Sequence, residues 1–258
     1  MLAEIEDAAH VSHAPFESGV RNPLNPAGRV RAVLFDLDGT LYRQTTMRAL
    51  MALELAVLAV RHPLQAPITW RVLAEFRRAQ EALRGQDTSH GAAIAQLELT
   101  ARRTGLSPDQ VDGLVAEWMI ERPLKYLLHC RATGLEALID FLSRRAIKIG
   151  VFSDYPPQLK LKALGIVDRF SLLVCSADPE VGRFKPHPRG FLVAAARWQI
   201  DPSEILVVGD RRDADGAGAR AAGMPCVIIE KKGERSNDFL SVVSLERLRD
   251  VLDDDQSR

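Results

Sequence analysis

Five short, apolar, β-prone runs constrain this chain more than anything else in it: Val30-Arg-Ala-Val-Leu-Phe35, Ile147-Lys-Ile-Gly-Val-Phe152, Ser171-Leu-Leu-Val-Cys175, Ile205-Leu-Val-Val208 and Pro225-Cys-Val-Ile-Ile229. None alternates polar with apolar, so each reads as a strand covered on both faces. Helical stretches lie between several of them, and strands joined through helices run parallel. The expectation is an α/β fold, a Rossmann-like doubly wound parallel sheet. With 258 residues, 47% of them hydrophobic, the chain has material for one large core or a core plus an insert.

The first two runs are separated by a long stretch without strand character. Met47–Arg61 is apolar nearly all round and predicts a buried helix. Arg71–Leu83 places Leu73, Phe76 and Leu83 on one face, with Gly85 after its end. Ser107-Pro108-Asp109-Gln110 is a helix start, with Ser107 capping the Gln110 amide and Leu106 stapling against Val111. A helical stretch of about a hundred residues exceeds an ordinary crossover. It reads as an inserted helical domain over 43–145, on a core formed by 30–42 and 146–258. Its last helix, about 135–144, is expected back on the sheet. Residues 1–29, with Pro15, Pro23 and Pro26 among polar residues, read as a flexible leader. The C-terminus predicts a short helix, Ser244–Leu252, and an acidic tail, Asp253–Asp255.

Charge and cysteine content narrow the function. Thirty-four basic residues balance thirty-four acidic ones, so no whole-protein field for gripping nucleic acid exists. Cys130, Cys175 and Cys226 are far apart, odd in number and without metal-ligand spacing. They read as small core residues in a reducing compartment, and the expected location is the cytoplasm. The N-terminus is acidic where a signal peptide would be basic. The longest apolar run, Ala49–Val60, contains Glu54 and is too short to span a bilayer, so no membrane association is expected. The six histidines form no cluster, and His187, between two prolines, reads as a loop residue.

Chemistry concentrates at the ends of the strands, where ligands of open parallel sheets bind. Phe35-Asp36-Leu37-Asp38-Gly39-Thr40 puts two carboxylates and a turn-permitting glycine after the first run. Taken alone, an Asp-rich turn explains it equally well. Val208-Gly209-Asp210-Arg211-Arg212-Asp213-Ala214-Asp215 supplies a second acidic cluster, leading into a small-residue helix at Gly216–Gly223. Helix capping accounts for one of Asp213 and Asp215, not for the whole cluster. Two such clusters at neighbouring strand ends suit a hard divalent cation such as Mg²⁺, which takes oxygen ligands and keeps several waters. Ser153 and Lys185 end or follow other runs. Separately they read as a turn residue and a solvated cation.

In this order, the four elements resemble the haloacid dehalogenase superfamily of hydrolases, over roughly residues 30–258. Asp36 to Thr40 matches its first motif, Ser153 its second, Lys185-Pro186 its third and Gly209-Asp210 its fourth. Asp213 and Asp215 compete for the last carboxylate, and Asp215 keeps the following Gly-Ala-Arg-Ala-Ala-Gly in register. The resemblance implies a phosphatase with a helical cap of the family's first type. Asp36 would be the nucleophile that takes the phosphoryl group, and Asp38 the acid and base, with its pKa raised for the acid role. Asp36, Asp38 (through its backbone carbonyl), Asp210 and Asp215 would hold Mg²⁺. Ser153, Asp154, Lys185, Gly39 and Thr40 would line the phosphate site.

The dehalogenase branch replaces the second aspartate, so the presence of Asp38 favours phosphoryl transfer. Lys185 lies 32 positions after Ser153, which leaves little room for a large second cap. A helical cap closing over the site favours a small phosphorylated metabolite as partner, not nucleic acid. Asp154 stands where relatives often carry Asn. It either points away or selects a cationic or hydroxylated leaving group. Tyr42 and Arg43, at the entry to the insert, could contact substrate but read first as hinge packing; Arg211 and Arg212 could bind a substrate anion but read first as facing water. The alternatives are a phosphomutase of the same superfamily and a non-catalytic module on the same fold. The second is disfavoured by the joint survival of Asp36, Asp38, Ser153, Lys185 and Asp210. A monomer or a homodimer both fit, with Met47–Arg61 available as an interface.

Overall fold

A computed structural model of the protein describes residues 30–86, 91–230 and 240–256; the expected leader, 1–29, lies outside the described residues. Six strands form one all-parallel sheet in the order β3-β2-β1-β4-β5-β6. They are β1 (Ala32–Phe35), β2 (Lys148–Ser153), β3 (Leu172–Cys175), β4 (Ile205–Gly209), β5 (Cys226–Ile229) and β6 (Leu240–Val242). Each of the five runs read from the sequence holds a strand; β6 was not foreseen, being only three residues long.

Alternate residues of each central strand feed two separate cores. Val33 and Phe35 of β1, Ile149 and Val151 of β2, and Leu206 and Val208 of β4 pack on one face. There they meet Leu135, Leu138, Ile139 and Leu142 of the helix Leu135–Arg144, and Leu245, Leu248 and Leu252 of the C-terminal helix Leu245–Gln256. Ala32, Leu34, Ile205 and Val207 face the other way, onto Phe191, Ala194, Ala195 and Trp198 of the helix Arg189–Trp198. Burial on both sides explains why the strands read as continuous apolar runs. The helix Leu135–Arg144 sits on the sheet, as its sequence suggested. The C-terminal helix continues to Gln256, through the stretch expected to be a tail.

Between β1 and β2 the chain is helical. α1 (Gln44–Arg61), α2 (Ala66–Leu83), α3 (Ala92–Thr104) and α4 (Pro108–Val115) are followed by a π-helical turn, Ala116–Glu121, and α5 (Arg122–Cys130). The Ser107 side chain accepts from the Gln110 amide while the Gln110 side chain accepts from the Ser107 amide, so α4 starts with a full capping box. Val72, Phe76, Ala101, Val111 and Val115 give the insert a small core of its own. The ends of the insert run side by side: the Arg43 amide donates to the Cys130 carbonyl at 2.8 Å, and the Ala132 amide to the Leu41 carbonyl at 3.0 Å.

α1 corrects one expectation. It is not buried all round; Met47 alone is fully covered, and Leu53, Val57 and Val60 are exposed. A helix packed on few neighbours can be apolar on several sides without being covered on them. Cys130, Cys175 and Cys226 are free thiols, all buried. No described helix is long and apolar enough to cross a membrane.

Candidate active site

β1 and β4 are adjacent, with Phe35 opposite Val208, and the Asp36 amide extends the ladder by donating to the Val208 carbonyl at 2.8 Å. This pairing delivers the two acidic loops to the same edge of the sheet. Gly39 then brings its backbone against Asp210: at φ +109° it takes a conformation that side chains rarely adopt, and a Cβ there would lie 2.1 Å from the Asp210 Oδ2. Gly209 does the same for Asp215, since a Cβ would lie 2.3 Å from its carboxyl carbon.

After Asp210 the chain makes a wide turn, Arg212–Gly216, in which the amides of Asp215 and Gly216 both donate to the Arg211 carbonyl. The turn folds the Asp215 side chain inward, where it is 2% exposed and accepts from the Arg211 amide at 3.1 Å. Asp213 points outward and pairs with the Arg211 guanidinium. Asp36, Asp210 and Asp215 offer carboxylate oxygens within 4.8 Å of one another, and Asp213 lies outside that group.

The Lys185 ammonium is buried between two of these acids, 2.7 Å from Asp36 Oδ1 and 2.7 Å from Asp215 Oδ1. Burial works against its charge, but the two carboxylates more than offset that and raise its pKa. Burial pushes the Asp36 carboxyl well above the carboxylate range; Lys185 pulls it back, and repulsion from Asp215 and Asp210 adds to the rise. Asp210 is pushed up to about 6, first by burial and then by Asp215. One ammonium among three carboxylates leaves surplus negative charge. Asp36 Oδ2 is buried with no hydrogen-bond partner among the described residues. An all-oxygen donor set with an orphaned acceptor fits a hard divalent cation.

Asp38 lies across the site from Lys185. Its Oδ1 accepts from the Tyr42 hydroxyl and from the Lys160 ammonium of the short helix Gln158–Ala163. Burial alone would raise the Asp38 carboxyl, but the charge of Lys160 and the hydrogen bonds from Lys160 and Tyr42 outweigh it and hold it below its ordinary value. This corrects the expectation that the site raises it. Tyr42 is accordingly a partner of Asp38 as well as a packing residue at the entry to the insert. Nothing in Gln158-Leu-Lys-Leu-Lys-Ala distinguished Lys160 from Lys162 as the lysine that turns inward.

Ser153 ends β2 almost fully buried, and its hydroxyl accepts from the Tyr155 amide at 3.3 Å. Thr40 is 1% exposed, with its hydroxyl buried and unpartnered among the described residues. Asp154, expected beside a phosphate, has both oxygens engaged by protein donors: Oδ1 by the Ser176 hydroxyl and the Lys185 amide, Oδ2 by Gln80 and Arg84. Arg211 and Arg212 do not simply face water. Arg211 reaches Glu81 of α2 at 2.9 Å, and Arg212 pairs with Glu230. The His187 Nδ1 accepts from the Arg189 amide, a loop role as expected.

A cavity of about 490 Å³ opens over these groups. Asp36, Asp38, Ser153, Lys185, Asp210 and Asp215 form its floor, and the insert supplies its roof through Met47, Met51, Trp70 and Trp118. Arg48 and Arg77 also line it.

A doubly wound sheet carrying an acidic triad, a buried lysine and a serine at one edge defines a hydrolase class. The family of haloacid dehalogenase-like hydrolases matches residues 30–223, and the chain belongs to it. In sequence it is 30% identical over 236 residues to a glyceraldehyde 3-phosphate phosphatase of Methanopyrus kandleri, covering 87% of this chain and 96% of that one. It is 32% identical over 205 residues to a phosphoglycolate phosphatase of Xylella fastidiosa, covering 77% and 79%. In fold it is similar to a HAD phosphatase from Thermococcus onnurineus, with a TM-score of 0.60, 24% identity, and 86% and 98% of the two chains covered.

Proposed function

We propose that this chain is a Mg²⁺-dependent phosphatase that hydrolyses a small phosphate monoester through an aspartyl-phosphate on Asp36. The observation that carries the reading is the Asp36 carboxylate: buried, oriented by Lys185, clustered with Asp210 and Asp215, and left with one free oxygen. The helical insert is read as a cap. Its relatives in sequence are phosphatases of several small phosphorylated compounds, and the cavity is of a size for such a molecule.

Asp36, Asp210 and Asp215 would hold the cation, with the Asp38 carbonyl, and the cation supplies positive charge for the phosphate oxygens. Lys185 holds one oxygen of the Asp36 carboxylate, which leaves the other to attack phosphorus. The bond from phosphorus to the ester oxygen breaks, and Asp38 gives that oxygen a proton. Lys160 and Tyr42 keep Asp38 ionised without substrate; the arriving phosphate dianion counters them and raises its proton affinity. In the second step Asp38 takes a proton from water, the water oxygen attacks the same phosphorus, and Asp36 leaves as a carboxylate with inorganic phosphate released. Ser153, which lines the cavity, presents its hydroxyl to the phosphate oxygens, whereas Thr40, expected to do the same, lies outside the lining with its hydroxyl buried. The roof suits a leaving group with an apolar body, and Arg48 and Arg77 suit an anion at its far end.

The test is turnover of 4-nitrophenyl phosphate with Mg²⁺ by the whole chain and by Asp36→Asn. Free phosphate is expected from the parent without a bisphosphate activator, and none above background from the variant with its melting temperature kept. Undiminished turnover by Asp36→Asn removes the nucleophile assignment; a need for a bisphosphate points to a mutase.

A further inference from the structure

The last turn of α2 crosses the cavity and ends on the loop that carries Lys185. Gln80 Nε2 donates to Asp154 Oδ2 at 2.9 Å, and the Arg84 guanidinium, just past the helix end, pairs with the same oxygen at 3.0 Å. Asp154 Oδ1 accepts from the Ser176 hydroxyl at 3.0 Å and from the backbone amide of Lys185 at 3.1 Å. Arg84 also donates to the backbone carbonyl of Lys185, at 2.5 Å. The Lys185 residue is thus held at its amide by Asp154 and at its carbonyl by Arg84, while its ammonium sits between Asp36 and Asp215.

Two features separate this arrangement from incidental surface pairing. Arg84 and Asp154 are each only 12% exposed, so the pair is shielded from screening water. The same core loop also sends Tyr155 into the insert, where its ring stacks on Phe76 at 6.0 Å and its hydroxyl accepts from Gln96. The contact is therefore a seated joint between insert and core. A carboxylate has about four acceptor positions, and the four donors fill those of Asp154. While these donors are in place, no position is left for a hydroxyl or cation of a leaving group, although Asp154 lines the cavity.

We propose that Arg84, Asp154 and Gln80 form a clasp that sets Lys185 in place only while the helical insert is seated on the core, so that closing the site and assembling its ammonium are one event. The proposal rests on reading the insert as a cap that opens for substrate. When the insert lifts, Gln80 and Arg84 leave with it, Asp154 Oδ2 loses both donors, and the Lys185 carbonyl loses its own. Arg84 and Asp154 are positioning residues: they act on the phosphate site through Lys185 and touch no substrate.

The test uses the full chain with Mg²⁺ and compares the parent with Arg84→Gln, Arg84→Lys and Asp154→Asn. Turnover of 4-nitrophenyl phosphate is measured together with hydrogen exchange of backbone amides by NMR. Arg84→Gln is expected to lower kcat by about 100-fold, the size of loss that misplacing a reacting group by about 1 Å produces, with KM nearly unchanged. Exchange at the Lys185 amide should speed up while the β1 and β4 amides keep their protection. Arg84→Lys should recover only part of kcat, because an ammonium cannot fork to both Asp154 and the Lys185 carbonyl. The double variant Arg84→Gln/Asp154→Asn should be no worse than the poorer single one, as expected of groups acting as a unit. Unchanged exchange at Lys185 in Arg84→Gln, or losses that simply add, overturns the clasp. If the parent hydrolyses no phosphate ester, the phosphatase reading fails, and the exchange comparison still decides the clasp. If Asp154→Asn does not fold, the two Arg84 variants decide it.

Discussion

Lys160 is the side chain whose part in the site was least readable. It turns inward, 8% exposed, and pairs with Asp38, the residue to which the proposed mechanism gives the acid and base role. Its removal has a sign that can be worked out. Lys160 lowers the Asp38 pKa, so Lys160→Met lets it rise, and the limb of the pH–rate profile belonging to Asp38 moves to higher pH. Lys160→Arg keeps the charge and should leave that limb near its original place. A limb unmoved by Lys160→Met removes Lys160 from this role. Asp36, Asp38, Ser153 and Asp210, which the structure gathers at one sheet edge, stood out in the sequence because they end or follow apolar strands. Lys160 follows no strand, and a lysine in a short amphiphilic helix reads as solvated until its neighbours are known. Asp154 was legible as an anomaly only, since what completes it, Arg84 and Gln80, belongs to another part of the chain.

Among the elements, the strands and the helix Leu135–Arg144 followed from local pattern, because both faces of the sheet are covered and continuous apolar runs record that. α1 did not. Its apolar character suggested burial, but only Met47, Leu50 and Met51 pack on the core, and a polar residue adds a second tie. Glu54 accepts from Lys125 at 2.5 Å, from the Tyr126 hydroxyl, and from Arg122 at 3.0 Å, all on α5. Hydrogen bonds from Lys125 and then Tyr126 lower its pKa from 4.5 to about 2. A depressed acid contributes stability that is complete above its ordinary value and fades as pH falls from about 4.5 through about 2. Glu54→Gln should therefore lower the melting temperature by about 2–4 °C at neutral pH, with the difference from the parent shrinking toward pH 2. A thermal scan at several pH values checks this, and a gap that stays constant across the range contradicts it.

For the whole molecule, a cation held by the three clustered acids would tie stability to metal concentration. Burial and mutual repulsion raise Asp36 and Asp210, and a divalent ion bound among them would offset that repulsion. Mg²⁺ at a hundred times its dissociation constant should add about 2.7 kcal/mol. The expected outcome is a melting temperature several degrees higher in Mg²⁺ than in EDTA, and activity that EDTA removes and Mg²⁺ restores. Asp210→Asn should melt at the same temperature in both. Equal melting temperatures for the parent in Mg²⁺ and EDTA would refute cation binding at the triad.

The order of the strands carries a consequence for synthesis. β4 joins the sheet directly beside β1, although most of the polypeptide lies between them in sequence. A chain still emerging from the ribosome can pair β1 with β2 long before β4 and Asp210 exist, and in that interval Asp36 stands without the acidic loop that completes its surroundings. On the proposed mechanism, a fragment that ends short of Asp210 is expected to be inactive, because the strand that carries this acid slots in beside the first-made strand only late in synthesis.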